Sequence, residues 1–136
     1  MKYTEITVSQ VYESERVIND EMVVDFARIT RDDNPIHLDD EAARKSIFGR
    51  RIAHGMLVMG IVSSVLGREF PGPGTVYMRQ DAKFLKPVYI DERIKVKITV
   101  LEKIEEKNRL RLSTEVLKED GLPAVTGEAL VLFRSD

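Results

Sequence analysis

The sequence predicts an α+β fold in which one antiparallel sheet wraps one long helix, and three observations carry that expectation. Met56, Leu57, Met59, Ile61, Val62, Val65 and Leu66 leave residues 54–70 almost no polar face. A helix apolar nearly all round has to be enclosed. Ile94, Val96, Ile98 and Val100 alternate with Arg93, Lys95, Lys97 and Thr99, the period-2 pattern of a half-buried strand. Two more alternating runs, residues 110–116 and 125–133, follow across the turn-forming Glu105-Glu106-Lys107-Asn108 and Glu119-Asp120-Gly121, so the C-terminal part reads as a meander. One such helix against one such sheet is an α+β layer arrangement.

The remaining elements follow in order. Ile6, Val8, Val11 and Val17 alternate loosely over residues 6–17, a first strand. Asn19 or Asp20 caps a helix whose stripe is Met22, Val23, Phe26 and Ile29 and which ends near Arg31, because a short side-chain oxygen accepts from the exposed amides of a first turn. Pro35 pushes Asn34 out of helical geometry and breaks the chain. Asp39 or Asp40 then caps a short helix through Ala42, Ala43 and Ile47. After Arg44-Lys45 and Arg50-Arg51 comes the apolar helix, and residues 77–88 are extended. In the last strand the small Gly127 and Ala129 mark where a helix can approach the sheet closely.

Composition narrows the function. The 136 residues and 15.5 kDa suit a single domain over residues 1–136. With 43% hydrophobic and 32% charged residues, the chain supplies both a core and a solvated shell, which excludes a disordered or fibrous protein. Lys plus Arg total 21 against 23 Asp plus Glu, so the basic excess that nucleic-acid binding needs is missing. The absence of Cys excludes disulfides, thiolate metal sites and a Cys nucleophile, and leans towards the cytoplasm. Glu5, Glu13, Glu15 and Arg16 interrupt any export signal near the start. The longest apolar stretch, residues 56–62, falls far short of the ~20 residues that span a bilayer, so no membrane partner is expected.

The densest chemistry lies in Asp32-Asp33-Asn34-Pro35-Ile36-His37, where an acid, an amide and an imidazole share a proline-forced bend. A carboxylate and an imidazole can together hold and activate one water. The same residues also serve as capping acids, a turn and an ordinary part-buried His, and spacing alone leaves both readings open. A second piece is Ala53-His54-Gly55-Met56 at the mouth of the apolar helix. The first amides of a helix lack internal partners and carry positive partial charge, so Gly55 lets a ligand oxygen approach a bare N–H; a glycine also suits a tight turn into the helix. His54 beside a helix start gains nothing for its cation from the dipole, which favours packing or hydrogen bonding.

Together, Asp32-x-Asn34-Pro35-x-His37, His54-Gly55-Met56, Pro71-Gly-Pro-Gly74 and Lys83-Phe84-Leu85-Lys86-Pro87-Val88 resemble the MaoC-like (R)-specific enoyl-CoA hydratases, a hot-dog fold family, over about residues 5–133. The resemblance implies hydration of a trans-2-enoyl-CoA to an (R)-3-hydroxyacyl-CoA without cofactor or metal. It implies Asp32 and His37 as the catalytic pair, Asn34 as the residue that orients them, and the Gly55 amide against the thioester oxygen. It also implies a homodimer with acyl-CoA near its interface, and open sheet edges on a chain this small favour the same pairing. The acyl chain is expected along the apolar helix, near Met56, Ala129 and Val131, and Arg50, Arg51, Lys83 and Lys86 are candidate cations for the CoA phosphates.

One departure matters. The family carries a small residue, commonly Gly, before the catalytic Asp, whereas here Arg31 stands there. Its cation either faces solvent or pairs with Asp32 and depresses its pKa. Two alternatives therefore stand beside the hydratase. One is a 3-hydroxyacyl-carrier-protein dehydratase that uses the basic residues 44–51 for docking. The other is a non-catalytic acyl-thioester-binding module with Asp32 silenced.

Overall fold

The computed structural model describes residues 1–134. The apolar helix is α4 (Gly55–Ser64), continued by a π-helical turn over Val65–Glu69. Leu57, Val58, Met59, Ile61, Val62, Val65 and Leu66 are all buried, in one cluster with the inward rows of the sheet. The sheet comprises β1 (Val11–Val17), β2 (Thr75–Gln80), β3 (Lys83–Phe84), β4 (Arg93–Ile104), β5 (Arg109–Leu117) and β6 (Pro123–Phe133), ordered β1-β4-β5-β6-β2 with β3 also paired to β6. All pairings are antiparallel. The alternation predicted for the meander holds: Ile94, Val96, Ile98 and Val100 face the helix from β4, and Leu110, Leu112, Thr114 and Val116 from β5. This is the hot-dog arrangement. Among the described residues, no helix is long and apolar enough to cross a membrane.

Three strand expectations need correction. The first strand starts only at Val11, after a 3₁₀ turn at Tyr3–Glu5, and it turns Tyr12, Ser14 and Arg16 inward while Val11 and Val17 face solvent. The reason is polar. Tyr12 Oη–H donates to Glu69 Oε1 (2.8 Å), Arg16 pairs with Glu69, and the Tyr12 ring stacks on Phe70, so β1 caps the far end of the central helix. Burial works against the Glu69 carboxylate, but the Tyr12 and Arg16 hydrogen bonds outweigh it and hold its pKa below the usual value. Second, residues 77–88 are not one strand. β2 and β3 lie end to end along β6, and the chain breaks step at Asp81-Ala82. Third, Gly127 serves that break rather than the helix: a Cβ there would sit 2.1 Å from the Asp81 carbonyl oxygen.

The helices lie on the excursion between β1 and α4. Asn19, not Asp20, caps α1 (Asp20–Thr30), its Oδ1 accepting from the Met22 amide at 2.9 Å. Val23 and Ala27 form the buried stripe of α1 with Met22 and Phe26 beside it, and Ile29 is exposed. The bend at Pro35 holds a one-turn helix, α2 (Pro35–Leu38), that the sequence reading did not foresee. Asp39 caps α3 (Asp40–Arg44), which stops three residues before Ile47; that side chain stands 94% exposed.

Arg31 closes α1 at φ +66°, the left-handed conformation in which a helix C-terminus favours glycine. Holding an L side chain there costs about 1 kcal/mol. Replacing Arg31→Gly is therefore expected to raise the thermal midpoint, by somewhat less than that full cost because glycine also frees the unfolded chain. Melting curves of the two proteins check this, and a lower midpoint for the glycine variant would contradict it.

Candidate active site

Two segments build the site, residues 31–38 and residues 51–55. The first is shaped by local capping. Thr30 Oγ1–H donates to the Phe26 carbonyl (2.7 Å) and in turn accepts from the Asp32 amide (3.2 Å), which folds the chain back at the end of α1. Asn34 is the N-cap of α2: its Oδ1 accepts from the Ile36 amide (3.3 Å) and its carbonyl from the His37 amide (3.0 Å), with Pro35 at the first helical position. That one turn sends His37 inward, to 8% exposure, and leaves Asp32 at the surface.

Four bonds lace this segment to the second. The Ile52 amide donates to the Ile36 carbonyl (3.4 Å), and His37 Nδ1 lies 2.7 Å from the Ile52 carbonyl oxygen. Arg51 Nε–H donates to the His37 carbonyl (2.7 Å), and His54 Nε2 lies 2.9 Å from the Asp32 carbonyl oxygen. A carbonyl oxygen only accepts, so each of these ring nitrogens carries the proton. In neutral His37 the lone pair therefore sits on Nε2. His54, 2% exposed, stacks on His37 with ring centroids 3.8 Å apart, and Phe26 covers it from another side at 4.7 Å. The two histidines that the sequence left in separate motifs form one stack.

A carboxylate oxygen of Asp32 and one nitrogen from each ring lie within 4.8 Å of one another. Two hydrogen bonds of ~2.8 Å meeting at one oxygen span about that distance, so a water can rest between Asp32 and His37 and donate to both. Each ring has one nitrogen already committed as a donor, His37 Nδ1 to the Ile52 carbonyl and His54 Nε2 to the Asp32 carbonyl, which leaves one nitrogen per ring for a further partner. Burial draws the His37 pKa below 6.5, and nearby His54 adds to this, while the bond to Ile52 and the Asp32 charge work the other way.

At the mouth of α4 the amides of Leu57 and Val58 both donate to the His54 carbonyl (3.0 and 3.1 Å), which leaves Gly55 and Met56 with the first free helical amides. Gly55 borders a cleft of about 330 Å³ lined by Phe48, Ile52, Val58, Phe84 and Lys86 among others. A Cβ on Gly55 would meet the Phe84 ring at 2.8 Å, so the absent side chain lets this ring close over the helix start. The sequence motif contained Phe84, but nothing in its spacing showed that its ring would lie on Gly55.

The expected substrate-binding residues separate. Lys86 lines the cleft, and Arg50 is exposed outside its lining with its guanidinium 4.0 Å above the Tyr89 ring. Lys83 sits on the opposite face, since neighbours on a strand alternate, and borders a groove with Asp81, Glu115 and Glu128 on the outside of the sheet. Arg51 is not a free cation: it bonds His37, donates to Asp20 Oδ1 (2.5 Å) and lies 3.9 Å from Asp40. Met56 is 64% exposed and lies outside the cleft lining, and Val131 is fully enclosed in the core. Arg31 points to a groove formed with Val24, Ala27, Arg28, Asp33 and Leu38, and it makes no ion pair with Asp32.

Known proteins share the sequence and fold of this chain. A family model described as a MaoC like domain matches residues 3–120. The 3-hydroxybutyryl-CoA dehydratase of Methylorubrum extorquens is 42% identical over 127 residues, 93% of this chain and 79% of the relative. A mitochondrial 3-hydroxyacyl-[acyl-carrier-protein] dehydratase of Arabidopsis thaliana is 34% identical over 133 residues, 96% of this chain and 79% of the relative. Among solved structures, the R-hydratase PhaJ1 from Pseudomonas aeruginosa superposes with a TM-score of 0.94 at 38% identity, covering 99% of this chain and 86% of that one.

The lowered His37 pKa fixes a pH dependence. Because the folded-state value lies below the unfolded value of about 6.5, the unfolded chain takes up the proton first as pH falls. The stability that His37 contributes is then complete above about pH 6.5 and is lost as pH falls through the lower folded value. Thermal melts of wild type and His37→Gln from pH 8 to 5 are expected to show the wild-type midpoint falling relative to the variant across that interval. A constant difference would contradict the assignment.

Proposed function

The chain belongs to the MaoC-like family of hydratases and dehydratases, and we propose that within it this protein adds water to a trans-2-enoyl-CoA to give an (R)-3-hydroxyacyl-CoA, reversibly, in the cytoplasm and without a cofactor. The observation that supports this most is the placing of the Asp32 carboxylate and His37 within reach of one water, next to a helix that starts on a free Gly55 amide.

In this reading Asp32 and the bare Nε2 of His37 each accept one O–H of the water and aim its oxygen at the β-carbon. The new C–O bond forms as one O–H bond breaks to the pair, and the π electrons of the C=C move towards the thioester oxygen. The Gly55 amide and the positive end of α4 stabilise that enolate; such a donor is typically worth about 2.7–4 kcal/mol. A proton from the pair then closes the α-carbon from the same face, a syn addition. Asp32 and His37 act as a coupled unit in which one proton is taken and one returned. Asn34 orients both by fixing the turn between them.

The cleft beside Gly55 is the channel assigned to the thioester, with Lys86 in its lining and the exposed Arg50 on Tyr89 as the cations for the CoA phosphates. A carrier-protein substrate is the second reading, favoured by the Arabidopsis relative. Part of the basic stretch that would dock such an acidic partner is engaged within the chain: Arg44 and Lys45 share Glu41, and Arg51 pairs with Asp20. The protein is assigned as a homodimer, since β2 lies at a sheet edge with Val76, Tyr77 and Met78 exposed.

With crotonyl-CoA the purified protein should remove the conjugated enoyl-thioester absorbance and yield the R alcohol, and Asp32→Asn or His37→Ala should each lower kcat by about 10²–10⁴. A wild type inert on short and medium chains would overturn the hydratase reading, and a higher rate on the carrier-linked form would favour the second one. Gel filtration is expected at twice the 15.5 kDa chain mass. Elution at the monomer mass would refute the dimer.

A further inference from the structure

His37 hangs on a helix of only four residues, Pro35–Leu38, too short to fix the direction of a side chain by itself. Its ring is tied at Nδ1 to the Ile52 carbonyl (2.7 Å), and its own carbonyl accepts from Arg51 Nε–H (2.7 Å). Residues 51 and 52 thus grip both ends of one residue. The guanidinium continues outward to Asp20 Oδ1 (2.5 Å) at the first residue of α1, with Asp40 at the start of α3 at 3.9 Å. Its side chain is only 15% exposed. A planar fork of five donors is the one side chain that can hold these directions together, and a lysine has neither the plane nor the second branch.

Resting on the hydratase reading above, we propose that Arg51 is a positioning residue for His37: it locks α1, α2 and α3 together so that Nε2 of His37 faces the water held with Asp32, and it does not bind the CoA phosphates. The commitment of its donors argues both halves of this. The acids at Asp20 and Asp40 would compete with a phosphate for the same guanidinium, and the carbonyl of His37 already occupies its Nε face. Arg50, next in the chain, is exposed and stacked on Tyr89, so two adjacent arginines take opposite duties.

The test is a split between turnover and binding. In Arg51→Ala, kcat for crotonyl-CoA is expected to fall by about 10²-fold, the scale of loss when a reacting group is misplaced by ~1 Å. KM should stay within about twofold, equally for crotonyl-CoA and a crotonyl-pantetheine thioester. Arg51→Lys should recover only a small part of the loss. Nitrogen NMR of the two histidines supplies a readout independent of turnover: His37 is expected as the Nδ1–H tautomer in wild type and as a mixture of tautomers in Arg51→Ala. If Arg51→Ala does not fold, Asp20→Asn, which removes only the outer anchor, should show the same pattern at smaller amplitude. An unchanged kcat, or a KM raised for the CoA form alone, would overturn the proposal, as would an unchanged His37 tautomer. An inert wild type whose His37 tautomer still depends on Arg51 would sink the hydratase reading and leave the positioning role standing.

Discussion

Leu57, Val58, Met59, Ile61 and Val62 leave α4 little to give to water; Met56 and Gly60 are its exposed residues, with Gly55, Ser63 and Ser64 part-buried at its ends. Each large apolar side chain on it gains about 1.5–3 kcal/mol by burial, so the sheet has to curve round the helix on every available side. The strands cannot cover the helix start, because the first turn presents amides that need polar partners. The only uncovered end of the molecule's most buried element is therefore an anion-friendly one. The excursion through α1, α2 and α3 closes over that end, and the acid and the imidazole arrive on it.

How much of this was legible depends on the range of the interaction. Period-2 patterns in β4, β5 and β6 and the all-apolar stretch of α4 are set by burial on one face or all faces, and they read directly from the chain. Asp32, Asn34 and His37 are legible because a proline turn brings near neighbours together. Arg51 is the opposite case. Nothing in the sequence distinguishes it from Arg50, since the difference lies in partners 14 and 31 positions away. Gly127 looks like room for a helix until β2 and β3 are seen to meet over it. The placing of Lys83 was available from strand parity: Phe84 faces the cleft, so its neighbour does not.

Arg31 shows how a backbone constraint can be mistaken for an electrostatic one. The family's small residue before the aspartate suggests that a cation there would disturb the carboxylate. The structure gives a different reason for smallness: the position is a left-handed helix end, with φ +66°, and its side chain leaves towards α1 and Leu38. A long residue is thus tolerated at a conformational cost, and Asp32 keeps its surroundings. The same economy governs the far end of α4, where Glu69, Tyr12 and Arg16 satisfy one another and let a polar cluster close an apolar barrel.

The lacing between residues 31–38 and 51–55 consists of single polar bonds and one ring stack, whereas the sheet is held by continuous ladders and a shared core. Such a division gives a protein two free energies of opening, a small one for the excursion and a large one for the body. Asp32 and His37 belong to the weaker unit. Inactivation and unfolding are then separate events: warming or mild denaturant would uncouple His37 from Ile52 while amides of β4 and β5 remain protected from exchange. In the proposed reading, activity reports the stability of the excursion between β1 and α4, and the melting of the whole chain reports something else.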